Sequence, residues 1–300
     1  MDHLERYRDI IPEFERFCAV QSNPLPISAR INTLKVDRDY LQQRLEKQRI
    51  GHEFFDWYPL GLRLDLEKPG RLLEHLLGYI HIQEELSMVP PLVLDPQPGE
   101  LVLDMCASPG SKTTQISQAM KNRGVVFANE PSLARIAPLR SNCERLGVVN
   151  VAITRYDGRN FPGNQDQDHL FHRVLVDAPC SSEGRARRDP DLLGRCSRKR
   201  SLDIQTLQIG LLKRAVKITR PGGAIVYSTC TYAPEENEMV VREVLDEARL
   251  EPFSIHGLHC CPGITEWEGT QLDEDLKCTA RYYPHLNDTG GFFVAKLIKR

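Results

Sequence analysis

Short apolar runs recur along the chain from residue 100 onward, and longer segments with helical spacing of apolar positions separate them. The runs predict strands at residues 101–105, 125–129, 151–155, 173–176, 224–228 and 292–298. The segments between them predict helices at residues 112–120, 133–146, 201–218 and 235–248. Strands that alternate with helices are typical of a mostly parallel, doubly wound sheet. The pattern therefore predicts an α/β fold whose main part is Rossmann-like.

The chain before residue 90 follows a different pattern. It predicts a strand, a helix, a second strand and a connecting helix, at residues 30–35, 37–48, 52–57 and 72–77. This order indicates a small α+β domain. Because Pro90 and Pro91 interrupt the chain directly afterwards, we place a domain boundary there. Residues 1–90 are predicted to form an N-terminal domain with its connector, and residues 91–300 the larger domain.

Composition narrows the class of protein. The chain is 41% hydrophobic and 27% charged, as globular domains are. No apolar run reaches the roughly 20 residues that span a bilayer, and the first segment, MDHLERYRDIIPEFERF, has no signal-peptide core. We therefore expect a cytoplasmic protein without membrane contact. The nine cysteines include no CxxC pair, so we expect free thiols and no metal site.

The stretch DMCASPGSKTTQ, at residues 104–115, follows a predicted strand and resembles a phosphate-binding loop. That loop requires glycine at the positions that Cys106 and Ser111 occupy, so a triphosphate site is excluded. The order strand, turn, helix remains, with Gly110 in the turn. The first backbone N–H groups of the helix can then bind a carboxylate as well as a phosphate.

Acidic residues follow the next three predicted strands. Glu130 comes 20 residues after Gly110, which is the spacing of an acid that binds ribose hydroxyls. Asp157 and Asp177 follow the third and fourth strands. Glu130 or Asp157 alone equally suits a cap of a helix or turn. Together with the loop, the three acids favour a site for an adenosine at the carboxyl edge of the sheet.

Two cysteines also lie directly after predicted strands, Cys180 in DAPCSS and Cys230 in YSTCTY. A single buried cysteine is usually an inert apolar residue. Two cysteines at the ligand edge of one sheet instead indicate reactive thiols, which a lowered pKa would activate.

Four separated motifs, in this order, resemble the NOL1/NOP2/Sun (RsmB-like) family of RNA 5-methylcytosine methyltransferases. They are DMCASPGSKTTQ, DAPCSSEGRARRDP, YSTCTYAPEENEMVV and ARYYPHLNDTGGFFVAKL. The resemblance covers about residues 90–300, and the N-terminal part is similar to the RRM-like domain that family members carry. It implies S-adenosylmethionine as cofactor, with archaeal-type transfer RNA enzymes as the nearest branch. It also implies that a thiolate adds to cytosine C6, so that C5 can attack the methyl group.

The resemblance assigns the catalytic roles. It makes Cys230 the nucleophile and Cys180 the thiol that assists product release. It places Asp177 against the cytosine edge or the cofactor, and it brings Lys112 to the catalytic site. The residues alone do not distinguish which thiol attacks, so the choice of Cys230 rests on the resemblance.

The same resemblance assigns the cofactor contacts. Glu130 would bind the ribose hydroxyls, Asp157 the adenine amino group, and Arg135 would help to hold the cofactor, with Asp177 beside it. The loop would surround the methionine and ribose with Cys106, Ala107, Ser108, Pro109, Gly110, Ser111 and Lys112. Ser108 and Ser111 depart from the family, in which many members carry alanine and glycine there.

We expect the protein to be a monomer, with RNA as its partner. The net charge of −2 gives no general affinity for nucleic acid, so contact requires a local basic patch. The segment Arg185–Arg200 supplies one next to Cys180. Arg281 and His285 are secondary candidates. Transfer RNA is the favoured substrate and ribosomal RNA the alternative. A non-catalytic RNA-binding or ribosome-assembly factor and a small-molecule methyltransferase are the other classes considered.

Overall fold

The computed structural model describes residues 2–163 and 170–300. Its strands are β1 Ser28–Ile31, β2 Gly51–Phe54, β3 Gly61–Asp65, β4 Ile80–Ile82, β5 Leu101–Asp104, β6 Val125–Asn129, β7 Val151–Thr154, β8 Phe171–Asp177, β9 Thr219–Thr229, β10 Ala248–Leu250, β11 Cys261–Pro262, β12 Glu266–Trp267, β13 Thr270–Gln271, β14 Ala280–Tyr282 and β15 Phe292–Lys299. Its α-helices are α1 Phe14–Val20, α2 Arg38–Lys47, α3 Leu73–Leu76, α4 Val89–Leu94, α5 Ser111–Ala119, α6 Leu133–Leu146, α7 Arg198–Ile218, α8 Glu238–Val241 and α9 Pro284–Asn287.

The larger sheet has the strand order β11-β14-β15-β9-β8-β5-β6-β7, and β10 pairs with β15. The strands β9, β8, β5, β6 and β7 run parallel, whereas β15 is antiparallel to β9. The middle strands contain buried apolar runs, such as Val174, Leu175 and Val176 in β8, because helices cover both faces. The predicted Rossmann-like α/β sheet is confirmed. Its order places the carboxyl ends of β5, β8 and β9 side by side.

The predicted helix at residues 235–248 is wrong in its length. Only Glu238–Val241 is α-helical, and a 3₁₀ turn at Arg242–Val244 follows it. Residues 248–250 instead form β10, which pairs with β15. This pairing depends on residues far away in the chain, so helical spacing alone did not exclude the longer helix.

The smaller sheet is antiparallel, with the order β2-β3-β1-β4. Helix α2 packs on it through Leu41 and Leu45. The strand predicted at residues 30–35 lies at Ser28–Ile31, because the side chain of Asn32 accepts a hydrogen bond from the backbone of Leu34 and begins a turn. Neither β3 nor β4 was predicted, although the α+β character was.

The N-terminal residues pack on the larger sheet. Leu4, Tyr7, Phe14 and Phe17 are buried in the same apolar cluster as the larger sheet, and the Phe17 ring lies 5.1 Å from the ring of Tyr232. The division of the chain at residue 90 remains a prediction, and these contacts join its first segment to the part beyond the boundary. Among the described residues, no helix combines the length and apolar character needed to cross a membrane.

Candidate active site

A tight loop connects β5 to α5. The backbone of Gly110 has φ 103°, a left-handed conformation that favours glycine, and a Cβ there would lie 3.0 Å from Cδ1 of Leu139. The N–H of Gly110 donates to the carbonyl of Ala107 over 2.7 Å. This turn leaves the first N–H groups of α5 directed toward the edge of the sheet.

A cavity of about 620 Å³ opens where β5, β8 and β9 end. Most of the predicted site residues line it: Cys106, Ala107, Ser108, Pro109, Ser111, Lys112, Arg135, Asp177, Cys180 and Cys230. These residues come from four separate stretches of the chain. The cavity is therefore the candidate active site.

Three predicted residues do not line this cavity. Gly110 forms the turn behind it. Glu130 is buried and accepts a hydrogen bond from the backbone of Ser132 over 2.9 Å. Asp157 is half-buried, caps a short turn and pairs with Arg159 over 2.6 Å. Both acids thus make the capping contacts considered as their alternative, and their cofactor roles remain predictions.

The two cysteine thiols are in direct contact. The Sγ atoms of Cys180 and Cys230 are 3.3 Å apart, and both side chains are half-buried. The hydrogen bond between them, together with burial, raises the pKa of Cys180. The same hydrogen bond lowers the pKa of Cys230, and a hydrogen bond from Ser182 lowers it further. Burial acts in the opposite direction but does not outweigh them. Either sulfur can donate in this contact, and the backbone N–H of Cys230 also donates to Sγ of Cys180 over 3.4 Å. The direction of the two pKa shifts favours Cys230 as the sulfur that ionises first.

An ion pair stands next to the thiols. Nζ of Lys112 donates to Oδ2 of Asp177 over 2.7 Å, and the hydroxyl of Ser228 donates to Oδ1 of the same carboxylate over 2.8 Å. Burial disfavours the charge of Lys112, but the contact with Asp177 outweighs it and raises the lysine pKa. Lys112 is therefore an ammonium group that orients Asp177, and it is not a neutral base.

Two carboxyl groups in the cavity wall were missed by the sequence analysis. Asp104 accepts from the hydroxyl of Thr113 over 2.6 Å, while its Oδ1 has no hydrogen-bond partner among the described residues. Burial raises the pKa of Asp104 to about 7. Burial also raises the pKa of Glu84, which accepts from the N–H groups of Ser87 and Gly290. Asp104 ends a strand just as Asp177 does, so the same sequence signal could have identified it.

The smaller sheet supplies another part of the wall. Nδ1 of His81 accepts from Arg145 over 2.9 Å, so Nε2 carries the proton and donates to the hydroxyl of Ser111 over 2.8 Å. The buried guanidinium of Arg30 donates to Thr114 and to Gln118 on α5. Ser111, one of the two serines that depart from the family pattern, thus has a partner on β4.

The basic segment contains residues with different surroundings. Arg187 is buried, pairs with Asp288 and donates to the carbonyl of Thr289. Arg198 pairs with Glu268 over 2.6 Å. Only Arg185 and Arg188 from this segment are among the residues that line the cavity, and both are exposed.

The secondary candidates Arg281 and His285 are both buried and do not line the cavity. The guanidinium of Arg281 forms an ion pair with Glu238. Substrate contact through these two residues therefore stays a prediction.

Comparison with known proteins identifies the family of this chain. The family model described as 16S rRNA methyltransferase RsmB/F matches residues 91–298, and the RsmF/B-like ferredoxin-like domain matches residues 4–70. The chain is 38% identical to tRNA (cytosine(49)-C(5))-methyltransferase of Pyrococcus abyssi over 99% of this chain and 95% of that protein.

Two further relatives are longer than this chain. It is 38% identical to ribosomal RNA small subunit methyltransferase F of Aliivibrio salmonicida, over 95% of this chain and 60% of that protein. It is 36% identical to 25S rRNA (cytosine-C(5))-methyltransferase nop2 of Schizosaccharomyces pombe, over 96% of this chain and 48% of that protein. The chain thus spans about half to two thirds of the length of these ribosomal RNA enzymes.

Solved structures agree over nearly the whole chain. A methyltransferase homolog protein from Pyrococcus horikoshii superposes with a TM-score of 0.86 at 35% identity, covering 99% of this chain and 94% of that one. NSun6 from the same organism, with SFG, gives a TM-score of 0.85 at 26% identity, with 99% and 97% covered. With its family model, its relatives and its four motifs in agreement, the chain belongs to the RsmB/F family of methyltransferases.

Proposed function

We propose that this chain is an S-adenosylmethionine-dependent RNA (cytosine-C5) methyltransferase that acts on transfer RNA through a covalent cysteine adduct. The observation that carries the proposal is the thiol pair, 3.3 Å apart, in the same cavity wall as the loop before α5. Transfer RNA is favoured because the relative named for it matches this chain along 95% of its own length. Ribosomal RNA is the second candidate, since a relative named for that substrate is equally identical.

The cavity suits the charges of the proposed cofactor. S-adenosylmethionine carries an ammonium group and a sulfonium centre, and the unpartnered Oδ1 of Asp104 would accept from such an ammonium group. The start of α5 suits its carboxylate. Glu130 and Asp157 would bind the ribose and the adenine, as the motifs imply. When bound, the cofactor supplies an electrophilic methyl group.

The two thiols have different roles in the covalent reaction. The thiolate of Cys230 adds to cytosine C6, and the S–C6 bond directs an electron pair to C5, which takes the methyl group. A base at the cavity then removes the C5 proton, the C5–C6 double bond re-forms, and the S–C6 bond breaks with its electron pair returning to sulfur. Cys180 assists this release, because its thiol can donate a hydrogen bond to the departing sulfur.

The remaining residues orient the base and its backbone. Asp177, held by Lys112, would contact the polar edge of cytosine or the cofactor. A cytosine in a stem must leave its stack to reach the cavity. Arg185 and Arg188 would neutralise the phosphates next to the displaced base.

Methyl transfer from labelled S-adenosylmethionine into unmodified bulk transfer RNA and ribosomal RNA tests the proposal, with nucleoside analysis of each RNA. We expect label in 5-methylcytidine of the transfer RNA. Label only in ribosomal RNA would show that the substrate is ribosomal RNA and not transfer RNA, and the proposed reaction would stand. Label in neither RNA, despite cofactor binding in a calorimeter, would refute the catalytic proposal and leave the RNA-binding factor.

A further inference from the structure

A fully buried carboxylate joins the N-terminal segment to the loop that carries the second cysteine. Glu183 accepts from the hydroxyl of Tyr7 over 2.9 Å and from Nε2 of His3 over 2.5 Å. It also accepts from the hydroxyl of Thr231 over 2.8 Å and from the N–H of Tyr232 over 3.2 Å. Every one of these donors is at least 48 residues away in sequence.

The direction of these hydrogen bonds is fixed by the charge of Glu183. Burial disfavours that charge, but the contacts with His3 and the hydroxyl groups lower the pKa of the carboxyl, which is therefore ionised and only accepts. Thr231 must donate to it, so its oxygen accepts from the hydroxyl of Ser181 over 2.7 Å. Ser181 follows Cys180 and Thr231 follows Cys230, so this chain of hydrogen bonds connects the residues next to both thiols.

A second connection runs through the backbone of the next residue. The N–H of Gly184 donates to the carbonyl of Cys230 over 2.9 Å, and its carbonyl accepts from the N–H of Gly291 over 2.8 Å. A Cβ at Gly184 would lie 2.2 Å from the carbonyl oxygen of Gly291, so the two segments are in close contact. The loop that carries Cys230 is thus bound both by the side chain of Glu183 and by the backbone of Gly184.

The cluster around Glu183 functions as a hydrogen-bond hub. His3, Glu183 and Cys196 place ligand atoms within 4.8 Å of one another, as a metal site would. Both oxygens of Glu183, however, already accept hydrogen bonds from protein donors. The thiol of Cys196 donates to the carbonyl groups of Ser181 and Leu192.

We infer that Glu183 is a positioning residue that keeps the Cys180 and Cys230 sulfurs in contact, and that Tyr7 anchors it from the N-terminal segment. The inference rests on the proposed function for its catalytic consequence. If the sulfurs separate, Cys180 no longer donates to the Cys230 thiolate, and the nucleophile becomes less ionised. Binding of cofactor and RNA does not depend on that contact.

Kinetics of four variants test this role. Because Glu183→Gln replaces an acceptor by an amide, we expect kcat to fall about tenfold or more while both KM values stay within about twofold. Tyr7→Phe should give a smaller loss in kcat. Thr231→Val should resemble Glu183→Gln, whereas Thr231→Ser, which keeps the hydroxyl, should retain activity. Glu74→Gln is the matched control, because Glu74 is equally buried and its side chain accepts, among the described residues, from Arg44 and Gln48.

Peptide-resolved alkylation by iodoacetamide measures the thiols without RNA. In the wild-type chain Cys230 should react faster than Cys180, and in Glu183→Gln this preference should decrease about tenfold. An unchanged preference with unchanged kcat in Glu183→Gln would overturn the inference. If that variant does not fold, Tyr7→Phe and the two Thr231 variants decide in the same way. Absence of methylation in the wild type would refute the proposed function, while alkylation would still test the positioning.

Discussion

The Sγ atoms of Cys180 and Cys230 lie 3.3 Å apart and share a hydrogen bond. The proton they share lowers the pKa of Cys230 and raises that of Cys180, so the two groups titrate as a pair. The sequence alone identified both thiols but not their order. The contact between them supplies a physical reason for the order that the family resemblance implies.

Removal of the Cys230 sulfur should abolish turnover. Without the thiolate no S–C6 bond forms, so we expect Cys230→Ala to lose methyl transfer, while its affinity for S-adenosylmethionine in a calorimeter stays within about twofold. Turnover at the wild-type rate in this variant would remove Cys230 as the nucleophile.

Removal of the Cys180 sulfur should slow formation of the adduct, because Cys230 loses its hydrogen-bond donor, and should slow the later half of the reaction more strongly. Because Cys180 assists departure of the other sulfur, Cys180→Ala should accumulate a covalent RNA–protein species, visible as a shifted band on a denaturing gel. The double variant with Cys230→Ala is the control and should give no such band. Normal turnover without a shifted band would contradict the role of Cys180.

The raised pKa of Asp104 predicts that affinity for S-adenosylmethionine depends on pH. Its pKa is raised to about 7, so its carboxyl is mostly neutral below that value and ionised above it. If Oδ1 binds the cofactor ammonium, affinity for S-adenosylmethionine should rise several-fold between about pH 6 and pH 7.5. Asp104→Asn should bind more weakly at the higher pH and show no such rise, as calorimetry at both values would reveal.

The stability of the free protein should respond in the opposite direction. A carboxyl whose folded pKa exceeds its unfolded value contributes stability that is fully present below the unfolded value, near 4. That contribution is lost as the pH rises through about 7. Asp104→Asn should therefore gain stability relative to the wild type above about pH 7, measured by thermal unfolding without cofactor. A difference between the two proteins that does not vary with pH would contradict the raised pKa.

At the scale of elements, local signals predicted helices better than strands. Helix α6 was predicted with the bounds that the structure has, because Gly147 ends it in a left-handed conformation. The strands β4 and β10 were missed, since their pairing partners β1 and β15 are distant in the chain. The strand β3 was missed although it pairs with the neighbouring β2 as well as with β1. Glu84 was missed for a related reason: its contact with Gly290 spans 206 residues.

The packing of loops at the site also leads to a prediction. Gly184→Ala would place a Cβ 2.2 Å from the carbonyl oxygen of Gly291, and backbone must move to relieve that contact. We expect it to destabilise the protein by about 1–3 kcal/mol and to lower activity. Gly194→Ala is the matched control, because no described heavy atom lies within 4 Å of a Cβ there. Equal melting temperatures for the two variants would contradict the close packing.

At the scale of the whole molecule, charge constrains how RNA can bind. The chain has a net charge of −2, so affinity for a polyanion must come from a few local cations. Within the predicted basic segment, Arg187 is buried against Asp288, and the exposed Arg198 pairs with Glu268. Arg185 and Arg188 remain at the cavity. Sequence counts alone could not make this distinction, since the acids that pair with the arginines come from other parts of the chain.

Salt dependence of RNA binding separates phosphate contact from structural effects. Each phosphate contact contributes a slope of about 0.7–0.9 to the decrease of log K with log salt concentration. Arg185→Ala and Arg188→Ala should each weaken transfer RNA binding and reduce that slope by about one contact, without changing the melting temperature. Arg140→Ala is the control, because Arg140 is exposed on α6, pairs with Glu144 and does not line the cavity. If all three variants keep the wild-type slope, RNA phosphates do not contact these arginines, and the RNA path must lie along another side of the cavity.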